Sequence, residues 1–204
     1  MDRQHQHLDL RATARAIIDS NFYMTLGTAD ENGRPWVSPV YYAPEGCAKF
    51  YWVSSPEAAH SRNLAVRPEV SIVIFDSRTP VGSGQGVYVS AVAEELTGTD
   101  LDRGIAIFSH RSEAHGAGEW TLEDVRPPAR LRLYRATASE HWVLGLHDRR
   151  IPVSVLDLED ANPPECVEKE FRKLGDGAPF SQEDHCCMLR PDDLATRHTK
   201  EVSV

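Results

Sequence analysis

What the chain lacks narrows its chemistry first. Its 204 residues hold no apolar run approaching the roughly 20 residues that span a bilayer. The opening "MDRQHQHLDLRATARAIIDS" has no apolar centre of the secretory-leader type. A cytoplasmic protein without membrane association is expected. Cysteine is scarce, and Cys47, Cys166, Cys186 and Cys187 form no disulfide framework, which fits a reduced compartment. Positive charge is short as well: 22 Lys and Arg against 31 Asp and Glu leave a net charge of −9. That balance excludes a generic nucleic-acid or anionic-membrane binder, though not a local basic pocket. There is no P-loop, no Gly-x-Ser-x-Gly and no His-Glu-x-x-His, so the enzyme classes built on those motifs drop out. His185, Cys186, Cys187 and His198 fit no common zinc spacing, and no metal site is expected.

What is present reads mainly as strands. Leu10, Ala14, Ile17 and Ile18 recur at helical spacing and predict a first amphipathic helix. "FYMTLGTA" (22–29) and "RPWVSPVYYA" (34–43) read as a hairpin across "DENG", because Asn-Gly accepts the positive φ of a tight turn. Alternation puts Trp36, Ser38 and Val40 on one face of the second strand and Val37, Pro39 and Tyr41 on the other. "AKFYWVSS" gives a third strand, followed by a short helix over "PEAAHSRNLAV", with Ser55 as its cap and Pro56 in first position. "EVSIVIFDS", the loop "RTPVGSGQG", and "VYVSAVAEEL" follow as strand, loop and strand. A helix over 99–110, an irregular stretch over 112–128 and a last strand over 129–144 complete a small antiparallel barrel with peripheral helices. Residues 1–153 are taken as this domain. Residues 154–204, polar and marked by proline, form an extension that wraps the barrel or its partner or stays disordered, with one helix over 164–174.

"HSRNLAVRPEVSIVIF" (60–75) sets four polar residues at the foot of a buried strand. In an acidic chain, a His and an Arg placed there point to an anionic guest. A phosphate needs backbone donors, hydroxyls and positive charge, and Ser54, Ser55, His60, Ser61 and Arg62 converge at this strand-to-helix junction, with Asn63 at the helix end.

The order of "GRPWVSPV", "FYWVSS", "HSRNL", "RPEVSIVI" and "GVYVSAVAEEL" resembles the pyridoxamine 5'-phosphate oxidase-like superfamily, the FMN-binding split β-barrels, over roughly 14–153. The resemblance implies a homodimer with FMN in grooves at the subunit interface, and an oxidoreductase acting on a small organic substrate. Trp36, Ser38 and Val40 would then lie along the flavin ring, and Gln85 beside it. Trp142 and Arg149 would come from the second subunit. Trp52 and Tyr88 fit either ring stacking or the core.

Two departures from the family stand out. A lysine commonly grips the phosphate three residues before the Asn-Leu pair, where this chain has His60. Phosphate binding through His60 would weaken as pH rises. The Arg-Leu-His-Asp-Arg stretch of true pyridoxine-phosphate oxidases appears as Gly145-Leu146-His147-Asp148-Arg149, without the first arginine. That argues against pyridoxamine phosphate as substrate. A deazaflavin in place of FMN, or a non-catalytic flavin- or haem-binding protein, are the alternatives. No catalytic acid or base is identifiable, since a flavin carries the chemistry itself.

Overall fold

The Asp30–Gly33 turn folds as its sequence predicts. Gly33 takes φ +80°, and Asp30 Oδ1 accepts the N–H groups of Asn32 and Arg34, both at 2.9 Å. This turn joins β1 (Tyr23–Ala29) to β2 (Pro35–Tyr41) in antiparallel register, Gly27 opposite Val37. The computed structural model describes residues 3–145 and 148–154. The expected helix over 164–174, and all of the extension beyond Ser154, lie outside them.

Further along the chain come β3 (Ala43–Glu45), β4 (Lys49–Ser54), β5 (Glu69–Phe75), β6 (Gly86–Glu95), β7 (Arg132–Leu144) and β8 (Arg150–Val153). All pair antiparallel in one curled sheet of order β2-β1-β5-β6-β7-β4-β3. The thirteen-residue β7 makes the split. One of its edges lies against β6 throughout, whereas the other pairs β4 over Arg132–Thr137 and β8 over His141–Leu144. This is the expected split-barrel architecture.

Alternation decides the packing. Met24, Leu26, Ile72, Ile74, Val87 and Val89 point inward and are essentially without exposure. Ala14 and Ile18 of α1 (Arg3–Ser20) close one mouth of that core. On the outside of β4 and β7, α3 (Gly98–Ala114) buries Leu101, Ile105 and Phe108 in a second cluster with Tyr51 and Leu133.

Four expectations need correction. The strand expected over 34–43 is two strands, β2 ending at Tyr41 and β3 starting at Ala43 and pairing β4 instead. The helix expected over 99–110 continues to Ala114. The stretch expected to be irregular holds α4 (Leu122–Val125), started by a capping box between Thr121 and Asp124. Beyond β7 the chain turns back as β8, a pairing that carries little hydrophobic alternation of its own.

Candidate functional site

The polar residues of the strand-to-helix junction meet, though not in the manner of a row of free phosphate ligands. β4 ends at Ser54, and the chain turns through 55–58 into α2 (Ala59–Val66). Ser55 does not cap that helix. Its hydroxyl accepts the N–H of Glu57 at 3.1 Å and its carbonyl the N–H of Ala58 at 3.0 Å, so a turn precedes the helix. Extended backbone at Ala58 (φ −65°, ψ 146°) then delays the first helical residue to Ala59.

α2 lies over the barrel mouth beside β1 and β2, burying His60, Ser61, Asn63 and Leu64. His60, 8% exposed, uses both ring nitrogens: Nε2 is 2.8 Å from Ser54 Oγ and Nδ1 is 3.2 Å from Ser38 Oγ. Ser38 Oγ also accepts the indole N–H of Trp36 at 3.0 Å. Four of the expected residues, Trp36, Ser38, Ser54 and His60, thus form one hydrogen-bonded chain across β2, α2 and β4. The Trp36 ring stays half exposed at its end. Val40 is buried two residues along from Ser38.

Burial pushes the His60 pKa below its ordinary 6.5, with no charged side chain contributing to the shift. At neutral pH it is an uncharged bridge, so an affinity governed by its positive charge is not expected there. Asn63 Nδ2 donates to Thr28 Oγ1 at 3.0 Å, tying α2 to β1, and the Asn63 carbonyl accepts the Arg67 N–H at 2.7 Å where the helix stops. Ser61 is buried with its hydroxyl beside the Tyr134 phenol. Arg62 is exposed and donates to the Glu57 carbonyl in the turn ahead of its helix.

The remaining expected residues sit elsewhere on one chain. Gln85 is exposed in the loop before β6. Trp142 lies half-buried on the outer face of the sheet, opposite Tyr88 on β6 and Pro152 on β8. Arg149 is exposed. Among the described residues no hydrogen bond joins these three to the His60 cluster. Tyr88 belongs to this outer face rather than the core, and the Arg150 guanidinium stands 4.4 Å from its ring centroid. Trp52 is the opposite case: fully buried and stacked on Tyr134 at 5.7 Å, it is a core residue.

The turn after β7 is tight around Gly145, where an arginine is missing. Gly145 donates its N–H to the Arg149 carbonyl at 2.7 Å, and a Cβ on it would come within 2.5 Å of Ile151 Cδ1 and 2.9 Å of its Cγ1. A longer side chain there needs Ile151 to move. Leu146 and His147, and the set His185, Cys186, Cys187 and His198, lie outside the described residues.

Sequence reasoning missed two features. One is the outer sheet face, which exposes Tyr23, Val37 and Phe75 at 61, 60 and 48%; its signal was the apolar character of both faces of β2. The other is the use of Trp36 as a donor to Ser38, for which the only signal was their i, i+2 spacing on one face.

Burial also lowers the pKa of His115 and His141, with Arg111 adding to the effect at His115. Between each lowered pKa and the ordinary 6.5, the unfolded chain binds more protons than the folded one. Stability is therefore fully present above about pH 6.5 and is lost as pH falls below it. Melting curves from pH 7.5 to 5.5 are expected to show Tm falling on acidification. A constant Tm over that range would contradict the neutral assignment of these histidines.

With the geometry in hand, the chain can be compared with known proteins. A family model described as pyridoxamine 5'-phosphate oxidase matches residues 10–144, about two thirds of the chain, and the chain belongs to that family. No curated protein matches the full sequence. Among solved structures, a haem-binding protein from Mycobacterium smegmatis superposes with TM-score 0.58 at 24% identity, over 72% of this chain and 58% of that one. HutZ, a haem storage protein of Vibrio cholerae, gives 0.51 at 22% identity over 70% and 95%. A Listeria innocua protein described as a putative pyridoxamine 5'-phosphate oxidase gives 0.51 at 13% over 66% and 97%. At these identities the likeness is one of fold. No helix among the described residues is long and apolar enough to cross a membrane.

Proposed function

We propose that the chain is an FMN-dependent oxidoreductase of the pyridoxamine 5'-phosphate oxidase-like family, acting on a small organic molecule. The observation that carries this reading is the hydrogen-bonded Trp36–Ser38–His60–Ser54 chain at the strand-to-helix junction. It sets hydroxyls beside an exposed indole, with Ser55 and Arg62 adjacent. A phosphorylated aromatic cofactor asks for that combination: hydroxyl and backbone donors with one cation for the phosphate, and a flat apolar ring for the isoalloxazine. When bound, FMN supplies the hydride or electron transfer. The chain's own groups would hold the phosphate and offer the exposed Trp36 indole to one ring face, with Val40 buried beneath in the core.

The outer sheet face supports a homodimer. Tyr23, Val37 and Phe75 are large, carry apolar surface and are exposed on one face of the sheet. A second copy seated there would bring its Trp142 and Arg149 to the groove that Ser38 and Ser54 open on the first.

Gly145 bears on the substrate. With Gly145 at this position, and Ile151 packed close to it, the chain lacks an arginine fork there. The substrate class is accordingly a small molecule without a phosphate gripped at that point. A second reading, a non-catalytic haem binder, draws on the two haem-binding neighbours of like fold. The bridging of both His60 nitrogens weighs against His60 as an axial ligand in that case. A deazaflavin is the third candidate, suggested by His60 standing where the family commonly has lysine.

Titrating purified protein with FMN, a deazaflavin mononucleotide and haem separates the three readings by which one binds stoichiometrically. FMN is expected to bind, and reduced nicotinamide to bleach its absorbance in the complex. A haem spectrum with no flavin uptake would overturn the proposal. Arg62→Ala is expected to weaken FMN by about 1–3 kcal/mol, the usual loss for a charge-assisted hydrogen bond. Calorimetry showing unchanged affinity would remove Arg62 from the site.

A further inference from the structure

We propose that Trp36, Ser38, His60 and Ser54 form a one-way hydrogen-bond relay that presents the Ser54 hydroxyl as a donor to a phosphoryl oxygen of the bound ligand. This inference rests on the flavin reading for the identity of the ligand, but the relay itself stands on the geometry of the chain alone.

The direction of the relay follows from the chemistry of its members. An indole N–H only donates, so the 3.0 Å contact fixes Ser38 Oγ as the acceptor from Trp36. The Ser38 hydroxyl proton then needs an acceptor, and His60 Nδ1 at 3.2 Å provides one. A neutral imidazole that accepts at Nδ1 carries its proton at Nε2, and that N–H reaches Ser54 Oγ at 2.8 Å. Ser54 accepts from the ring, and its own proton is left to donate outward. In the opposite tautomer Ser38 would take two donors and the outward-facing proton would be its own; the direction chosen is the one in which the Trp36 donation is passed on at every link. Each link that accepts also donates in the chosen direction, so the bonds polarise one another toward Ser54.

The position of Ser54 suits that task. It is the last residue of β4, partly exposed, with its neighbour Ser55 in the turn that leads to α2. His60 is thus a positioning residue. Where a lysine would contribute charge, this chain contributes an aimed hydroxyl. The substitution of His for Lys is then a change in how the ligand is held, from a point charge to a hydrogen bond of fixed direction.

The relay can be read without any ligand. Long-range proton–nitrogen NMR on the full chain at pH 7 is expected to show His60 neutral, with its proton on Nε2. A proton on Nδ1, or an imidazolium, overturns the relay. The second arm uses FMN as the probe. His60→Gln, whose amide offers one acceptor and a donor to the same two serines, is expected to keep affinity within about threefold, and Ser54→Ala to lose about tenfold. His60→Leu is expected to lose as much as Ser54→Ala, with melting curves confirming that it folds. Affinity unchanged in both Ser54→Ala and His60→Leu overturns the relay's role in binding. Parent protein that takes up no FMN overturns the flavin reading instead, and the NMR result then decides the relay by itself.

Discussion

Val37→Glu is expected to yield a folded monomer of 22.8 kDa that no longer retains flavin. Val37 sits on β2 opposite Gly27, 60% exposed, on the outer face that also carries Tyr23 and Phe75. Among the described residues Val37 belongs to neither core cluster, so a carboxylate there leaves the barrel's interior packing as it is. If that face is buried against a second copy, the same carboxylate loses its hydration, at a cost of several kcal/mol per ion. Two copies of the change act in one symmetric interface, which doubles the penalty. Sedimentation should report the parent as a two-chain species and the variant as one chain. If Trp142 and Arg149 complete the groove from the second copy, as proposed, flavin should leave with the partner. Retention of both dimer and flavin by Val37→Glu would place the interface elsewhere.

The second large effect lies in the core. Trp52 is fully buried, stacked on Tyr134 at an interplanar angle of 18°, and within the same cluster as Phe50, Leu64 and Ile72. Trp52→Ala removes the largest buried side chain of the barrel and leaves a cavity between β4 and β7, expected to cost about 3–5 kcal/mol. Trp52→Phe separates volume from polarity. The Trp52 indole N–H is buried without a hydrogen-bond partner among the described residues, and phenylalanine removes that orphaned donor while keeping most of the ring. The expected cost is below about 2 kcal/mol, since the relieved desolvation offsets part of the lost contact. Denaturant unfolding checks both values. A Trp52→Phe protein destabilised as much as Trp52→Ala would mean that the indole nitrogen has a partner, contrary to the structure.

The barrel could be read in the sequence because its strands alternate and its first turn is chemically explicit. Met24, Leu26, Ile72, Ile74, Val87 and Val89 all point inward as period two requires. What escaped detection lacked such a signal. β3 is three residues long, and β8 carries a proline and two half-exposed or exposed residues, so pairing, of β3 with β4 and of β8 with β7, rather than local pattern makes each a strand. The start of α2 was misplaced because Ser55-Pro56 satisfies the rules for a helix entry and for a tight turn alike. Only the extended backbone at Ala58 decides between them.

The site was legible in part. Ser54 and His60 are near enough in sequence to be placed together as phosphate ligands. Joining them to Ser38 and Trp36 needs the curl of the sheet, which brings β2 over the end of β4. The charge state of His60 was beyond the sequence altogether, because it depends on burial under α2. Trp142 and Arg149, expected from a second copy, and Gln85, expected beside the flavin, all lie apart from that cluster on one chain.

The central claim is that two copies of this barrel hold FMN in the groove between them. Native mass spectrometry of the parent protein with excess FMN tests it most directly. Two chains carrying two FMN molecules, with no flavin on any single chain, is the predicted result. A single chain that binds FMN by itself, or a pair of chains that takes up none, would contradict it.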